Sequence, residues 1–491
     1  MTTPLAAAPP VTPPRVAILG GGITGLAAAL RLQESALAID WRLYEADSRL
    51  GGVLQTVERD GYRVELSADN FLTREPWARD LATRVGLADD LLPTDPARRR
   101  ALVVSRGRVL RAPEGFVLMA PQRAWPVLAS PVLSLAGKLR LAAEPLVPPR
   151  RDTADESVAS FARRRLGREV FERLVQPLVG GIYTADPERL SMQATMPQFV
   201  RQEREHGSLV RAALSGQDRT SAQAKAERHE TGARYGLFVA PRLGMQQLVD
   251  AVAARLPADR LATGTRVGAV TRSDGVWRVL DDGQRELGQF DAVVVTLPSR
   301  AAAAVLSGVD PALADELGAI EYAGCSVVCL GVHQSQITRP VDGFGFVVPA
   351  VEKRRLIAAS FASYKFPGRT PPGHVLIRGF VGGALQPELA DADDDRLIAV
   401  VREELADLVG LRGDPQLMLV ARWPRRMPQY HLGHLDRVAR IEQLASEHEG
   451  LELAGAAYRG VGVPQCVHSA ERAAERVLER LALLHSSGKR G

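Results

Sequence analysis

Three observations predict an α/β fold for this chain. Residues 16–30 read as a buried strand, Val16-Ala17-Ile18-Leu19, that passes through Gly20-Gly21-Gly22-Ile23-Thr24-Gly25 into an alanine-rich helix. A second strand-like run, Trp41 to Tyr44, ends on Glu45, twenty residues beyond Gly25. Later runs such as Asp291 to Pro298 carry a continuous apolar stretch, Ala292 to Val295, as strands buried on both faces of a parallel sheet do. Strand, glycine turn, helix, second strand and acid in this register describe a Rossmann-like dinucleotide-binding unit.

Each part of that unit has a physical reason. Gly20 permits the tight turn, Gly22 admits a pyrophosphate close to the backbone, and Gly25 lets the helix pack tightly on the strand. The phosphates then lie at the positive end of the helix. Glu45 stands where an acid bonds ribose hydroxyls. In the sequel Glu45-Ala46-Asp47-Ser48-Arg49-Leu50-Gly51-Gly52, an arginine and paired glycines offer the same pyrophosphate a second set of cationic and backbone contacts. The cofactor contacts predicted here are Gly20, Gly21, Gly22, Ile23, Thr24, Gly25, Glu45, Ala46, Arg49, Gly51 and Gly52.

Composition narrows the class. The chain has 491 residues, too many for one core, and suggests two or three domains. With 46% apolar and 24% charged residues it has ordinary globular values, which exclude a disordered chain. Its net charge of +5 comes from arginines scattered among acids and not from a basic stripe, so nucleic acid is not implied. Cys325, Cys329 and Cys466 form neither a disulfide framework nor a metal spacing. The simpler reading is a reducing compartment, the cytoplasm, with no metal and with Cys325 and Cys329 as small buried hydrophobes. Residues 1–14 lack a basic start and an apolar core and are read as a proline-rich disordered lead, not a signal peptide. No run reaches the roughly 18 apolar residues of a membrane span.

The predicted organisation is discontinuous. Residues 15–99, 232–310 and 426–491 are assigned to the nucleotide domain. Residues 100–231, apolar and punctuated by prolines as in Phe116 to Pro121 and Trp125 to Leu133, are read as a helical domain of short, broken helices that could cover an apolar substrate or touch a membrane surface. Within it the polar stretch from Ser215 to Arg234 reads as a surface loop or linker. Residues 311–425 hold the strand-like runs Ser326 to Val332, Phe344 to Val348, Leu356 to Phe361 and Val375 to Val381, which suit a mixed sheet flooring a substrate cavity.

Four segments carry a family resemblance: Gly20 to Ala29; Gln176-Pro177-Leu178-Val179-Gly180-Gly181-Ile182-Tyr183; Arg422-Trp423 with Met427-Pro428-Gln429-Tyr430-His431; and Gly460-Val461-Gly462-Val463-Pro464. The chain from Arg15 to about Leu484 resembles the oxygen-dependent porphyrinogen oxidases of haem biosynthesis, within the FAD-containing, amine-oxidase-like superfamily. The resemblance implies a Rossmann-like FAD domain, a mixed-sheet substrate domain and a helical domain that faces a membrane. It implies oxidation of protoporphyrinogen IX to protoporphyrin IX, with dioxygen as acceptor and hydrogen peroxide as by-product. Coproporphyrinogen III is the alternative substrate, since the two differ only in vinyl against propionate groups. It further implies FAD contacts from Ser67, Ala68, Asp69, Val267, Trp423, Val461, Gly462 and Val463, with the turn before the last helix holding the flavin ring. Many relatives have Gly-Pro where this chain has Ser67-Ala68.

For substrate, the resemblance implies Arg74 as a propionate anchor, Gly181 against the macrocycle and Phe366 as a stacking aromatic. No catalytic side chain is assigned, because the cofactor carries the hard chemistry and positioning dominates. His431, His434 and His468 have no metal or relay spacing and are read as structural or surface groups. Peripheral membrane contact and a homodimer are compatible with this reading. Two other classes stand beside it: another flavin oxidase or desaturase, acting on an amine or a carotenoid, of which amine oxidation is not favoured by the low aromatic content of 5%, and a non-catalytic escort-type protein, which the intact glycine motif does not favour.

Overall fold

A computed structural model describes residues 13–121, 124–215 and 238–488. The predicted lead, residues 1–14, lies outside the described residues except for its last two, and so does the linker 215–234 beyond Ser215.

The nucleotide domain is organised by a five-stranded sheet in the order Leu261–Ala262, Asp40–Tyr44, Arg15–Leu19, Ala292–Val295, Leu451–Leu453, every neighbouring pair parallel. Val16 sits opposite Trp41 on one side and Ala292 on the other. The two central strands are the continuous apolar runs seen in the sequence, and apart from Arg15 every residue in them is buried. The helix Ile23–Gln33 covers one face, with Leu26, Ala27, Ala28 and Ala29 fully excluded from water, and packs against the final helix Val463–Gly488 through Val467, Ala470, Ala473 and Ala474. Alanine on both sides of that contact lets the helices approach closely at little entropic cost. The other face is covered by the helices Ser299–Leu306, Pro311–Gly318 and His434–Ser446 and by the Val267–Phe290 three-stranded meander, whose Trp277 is wholly buried.

A seven-stranded mixed sheet forms the second layer, in the order Leu417–Pro428, Tyr322–His333, His374–Gly382, Leu356–Phe361, Gly345–Val347, Leu102–Ser105, Arg108–Arg111. All its pairs are antiparallel except Gly345–Val347 with Leu102–Ser105. The helix Asp394–Val409 covers one face through Leu397, Val401, Leu405 and Leu408. Its ends follow from sequence: the Asp393 carboxylate caps the Arg396 amide, and Gly410 adopts the left-handed conformation that stops it. The last two strands correct the reading that placed residues 100–231 wholly among helices. Leu102–Ser105 is a buried apolar run, and the free edge of Gly345–Val347 offers it hydrogen bonds that no helix there would supply.

The helical region begins after a further correction. Phe116–Val117 and Ala120–Pro121 pair as a small hairpin and not as a broken helix, with Leu118 at positive φ in the turn. The helices that follow, among them Leu135–Ala142, Val158–Leu166, Gln176–Tyr183 and Pro197–His206, enclose a separate core that includes Phe161, Phe171, Met192 and Tyr430. Through it runs a buried ion cluster. Arg165 and Glu144 are both fully buried, the Arg165 Nε donates to Glu144 Oε1 at 2.7 Å, and Glu144 also accepts from the Leu209 amide at 3.0 Å and from Ser208 Oγ. Such a pair is tolerated because each remaining lone pair finds a donor. Among the described residues no helix is long and apolar enough to cross a membrane.

Candidate functional site

The turns that leave the carboxyl ends of the parallel strands border a crevice, the place where open α/β sheets bind ligands. A β-carbon on Gly25 would land on the carbonyl oxygen of Gly20, so the helix rests directly on the strand turn. Thr296 Oγ1 closes the turn from the neighbouring strand by donating to Leu19 O at 2.8 Å, with Gly20 O at 3.1 Å. Glu45 Oε2 accepts from the Gly21 amide at 2.6 Å and Oε1 from Asp47 at 2.8 Å. A carboxylate has about four acceptor sites, which leaves capacity for ribose hydroxyls. At Gly22 a β-carbon would meet no atom within 4 Å, so the space in front of the helix N-terminus is open where a pyrophosphate belongs. Ile23 and Thr24 are buried in the first helical turn, and Ala46 follows Glu45 at the crevice edge. The donors and the open space fit FAD.

Arg49 is held by its own loop. Its guanidinium donates to the carbonyls of Leu50 at 3.0 Å and Leu54 at 3.1 Å, and to Gly52 O, so it braces the loop that carries Gly51 and Gly52. Gly51 in turn donates its amide to Gly21 O at 2.8 Å, which seats the loop on the glycine turn. Val267 opens a strand beside it, where the Thr265 amide donates to Glu45 O.

The segment 66–70 is fastened by groups from the mixed sheet. Trp423 Nε1 donates to Leu66 O at 2.7 Å, Arg378 donates to Ser67 O, and Ser67 Oγ donates to Val53 O. The buried Asp69 carboxylate faces two cations, Lys365 Nζ at 2.9 Å and Arg378 Nη1 at 3.0 Å. Burial pushes the Asp69 carboxyl up, but Lys365 and Arg378 outweigh it and bring it down to about 2. Asp69 is therefore an anion throughout the working pH range.

The sequence motifs at 176–183, 427–431 and 460–464 meet in space. Gln429 Nε2 donates to Tyr183 O at 3.1 Å. The buried Tyr430 hydroxyl donates to Ala456 O at 2.6 Å and accepts from the Gly460 amide at 2.8 Å. Tyr430 stacks on His434 at 4.0 Å, and His434 Nε2 lies 2.8 Å from Tyr458 O. Burial holds His434 below the usual histidine range, so the neutral ring donates to that carbonyl. This clamp fixes the turn holding Val461 and Gly462 ahead of Val463, where the last helix starts. His431 lies 3.6 Å from Glu321 and His468 stacks on Trp77, in agreement with structural roles.

Beside the crevice a cleft lies between the helix Gln176–Tyr183 and the mixed sheet. Phe116, Phe238, Phe344, Phe346 and Phe380 give it aromatic walls, and Gly181 opens onto it. That helix follows a π-turn at Phe171–Val175, where Pro177 lacks the amide that would bond back to the Arg173 carbonyl. Charged groups are few: Arg100, Arg111 and Lys365 line the cleft, with Glu114 as the acid. Arg100 and Arg111 share Asp342.

Two expected substrate residues do not reach this cleft. Phe366 is buried beneath Arg369, whose guanidinium lies 5.6 Å from its ring centre, and the neighbouring Lys365 faces the cleft instead. Arg74 has a side chain 65% exposed, next to Glu75 at 3.9 Å, and is absent from the cleft wall. The sequence carries no signal that would place Thr296, Lys365 or Arg378 at the site; for Tyr430 the Met-Pro-Gln-Tyr motif is the signal. Burial pushes the Cys325 and Cys329 thiols up to about 11, which suits small buried hydrophobes. Among the described residues no cluster could hold a metal.

The family model for flavin containing amine oxidoreductases matches residues 23–478. A coproporphyrinogen III oxidase of Bacillus subtilis (strain 168) is 34% identical over 472 residues, covering 95% of this chain and 98% of that protein. A chloroplastic protoporphyrinogen oxidase of Nicotiana tabacum is 32% identical over 480 residues, covering 94% and 84%. A crystal structure from Exiguobacterium sp. 255-15 superposes with a TM-score of 0.82 at 28% identity, covering 95% of this chain and 99% of that one.

Two substitutions test the crevice. Gly22→Asp places a negative side chain in open space, so the protein should fold while losing FAD; purification without the yellow absorption bands, at the melting temperature of flavin-stripped wild type, is the expected result. Tyr430→Phe leaves Ala456 O and the Gly460 amide without their buried partner. It should cost roughly 1–3 kcal/mol, measured as a lower melting temperature and faster flavin release.

Proposed function

The chain belongs to the flavin containing amine oxidoreductases, and we infer that the porphyrinogen it oxidises is coproporphyrinogen III. It is an FAD-dependent porphyrinogen oxidase of haem biosynthesis. The observation that carries the substrate choice is the composition of the cleft: an aromatic enclosure for a macrocycle, with the three cations Arg100, Arg111 and Lys365 in its wall. These cations already face Asp342, Asp69 and Glu114, so the wall offers carboxylate-binding donors and not a large net charge; four propionates, against the two of protoporphyrinogen IX, would use more of those donors. The Bacillus subtilis relative supports the same choice by its name.

Bound FAD supplies the hydride acceptor, and the glycine turn, Glu45 and the clamped 456–463 turn are the residues that hold it. The protein's own task is geometric. The helix Gln176–Tyr183 and the strand Leu356–Phe361 present the macrocycle from two sides, and the phenylalanines keep water from the reacting carbon. No second glycine fingerprint with its own ribose acid follows the first, which supports a small diffusible electron acceptor, and the resemblance to the oxygen-dependent porphyrinogen oxidases makes that acceptor dioxygen.

The helical region supports peripheral membrane contact. Trp125 is 78% exposed and Leu146 is 82% exposed, and Leu135 with Leu139 form an exposed apolar pair one turn apart on the helix Leu135–Ala142. Lys138 and Arg151 add positive charge to the same stretch. Short amphipathic helices of this kind lie in the plane of an interface and do not span it.

In a sealed assay under air, porphyrin fluorescence should rise with hydrogen peroxide and should nearly stop when oxygen is removed. The kcat/KM for coproporphyrinogen III should exceed that for protoporphyrinogen IX by about tenfold or more, as one charge-assisted contact implies; equal values would return the choice to the pair. Flotation with vesicles containing phosphatidylglycerol should carry the wild-type protein upward, and Leu135→Ser combined with Leu139→Ser should leave it at the bottom.

A further inference from the structure

Where cleft and crevice meet, the charges do not balance. Asp69 is one carboxylate set between two cations, Lys365 and Arg378, with Asn70 Nδ2 also donating to it. The neighbouring Arg369 acts on both Glu65 and Asp69, and Arg378 also acts on Glu65, so three cations share two carboxylates. One positive charge of the Asp69 group is therefore without a partner, in a place where an uncompensated charge is costly.

The two cations differ in what they can do about it. Arg378 is wholly buried, gives one Nη group to Asp69 and the other to Ser67 O, and cannot turn outward. Its Nε has no acceptor among the described residues, a further sign that donors outnumber acceptors here. Lys365 is 15% exposed in the cleft wall, and among the described residues its ammonium has a single hydrogen-bond partner, Asp69. An ammonium carries three donors, so two remain. Its position is held from behind, because the Asp95 amide donates to Lys365 O at 3.0 Å and the Arg98 guanidinium covers the adjacent Tyr364 ring at 3.9 Å.

We propose that Lys365 is the carboxylate-binding residue of the cleft: held by Asp69, it receives a propionate of the tetrapyrrole and sets the orientation in which the macrocycle meets the flavin. The assignment rests on the porphyrinogen reading above. It gives the surplus charge a counter-ion of the right chemistry, and it moves the anchoring role from the exposed Arg74 to a lysine whose ammonium is fixed before the substrate arrives. Preorganisation of this kind lowers the ordering cost of binding.

The FAD-loaded enzyme is titrated with coproporphyrin III and, separately, with its uncharged tetramethyl ester, following fluorescence quenching. Lys365→Met should weaken the acid by about tenfold or more and the ester by less than about twofold, whereas Lys365→Arg should keep the acid within about threefold of wild type. Retained flavin absorption and melting temperature show the variants to be folded; Lys365→Gln replaces the Met variant if that one does not fold. Equal losses for acid and ester, an unchanged affinity for the acid, or a loss in the Arg variant as deep as in Met each overturn the assignment alone. A wild-type enzyme that binds neither porphyrin overturns the porphyrinogen reading together with it.

Discussion

The structure depends on a contact that only glycine allows. A β-carbon on Gly25 would coincide with the Gly20 carbonyl, and one on Gly20 would stand 2.9 Å from Thr296 Oγ1, so helix, strand turn and neighbouring strand meet at backbone distance. That closeness carries the amide end of the first helix to the edge of the sheet, where Gly21 is taken by Glu45 and Gly22 faces open space. The final helix packs on the first, and the turn ahead of it inherits its place from that packing. Displacing the first helix would move both walls of the crevice.

Around this contact the chain crosses between its parts repeatedly, and single hydrogen bonds between distant segments align them. Trp423 reaches Leu66 O, Arg378 reaches Ser67 O, Gln429 reaches Tyr183 O, and Tyr430 joins Ala456 to Gly460. Most of these bonds are made by groups excluded from water, where a lost partner costs more than in solvent. A crevice and a cleft built on different sheets are thereby held in one geometry, which a reaction governed by placement requires.

Charge is used sparingly and at defined places. The buried Arg165–Glu144 pair is fully satisfied and serves the helical core, while the Asp69 group is left with more donors than acceptors beside the cleft. In an otherwise aromatic enclosure such an imbalance would suit an anionic ligand without supplying an acid or base. That agrees with chemistry in which the cofactor does the bond breaking.

The nucleotide half was legible in the sequence because its constraints are local: glycine at a turn, apolar runs for buried parallel strands, and an acid at the end of the second strand. The family-specific motifs likewise marked segments that do converge at the site. Of the cleft, the floor is legible in the strand-like runs Phe344 to Val348, Leu356 to Phe361 and Val375 to Val381, whereas the part contributed by residues 100–116 is not, because Leu102–Ser105 joins that sheet only in the assembled fold. Phe366 and Lys365 show the reason most clearly. The chain leaves a single helical turn at Lys365 and becomes extended at Phe366, so adjacent side chains go to opposite sides, the lysine to the cleft and the phenylalanine to the core. Residue types and spacings determined which cofactor the chain can hold. Which side chains meet the substrate was decided only by the packing of distant segments, because facing is a property of the assembled sheet and not of the strand read alone.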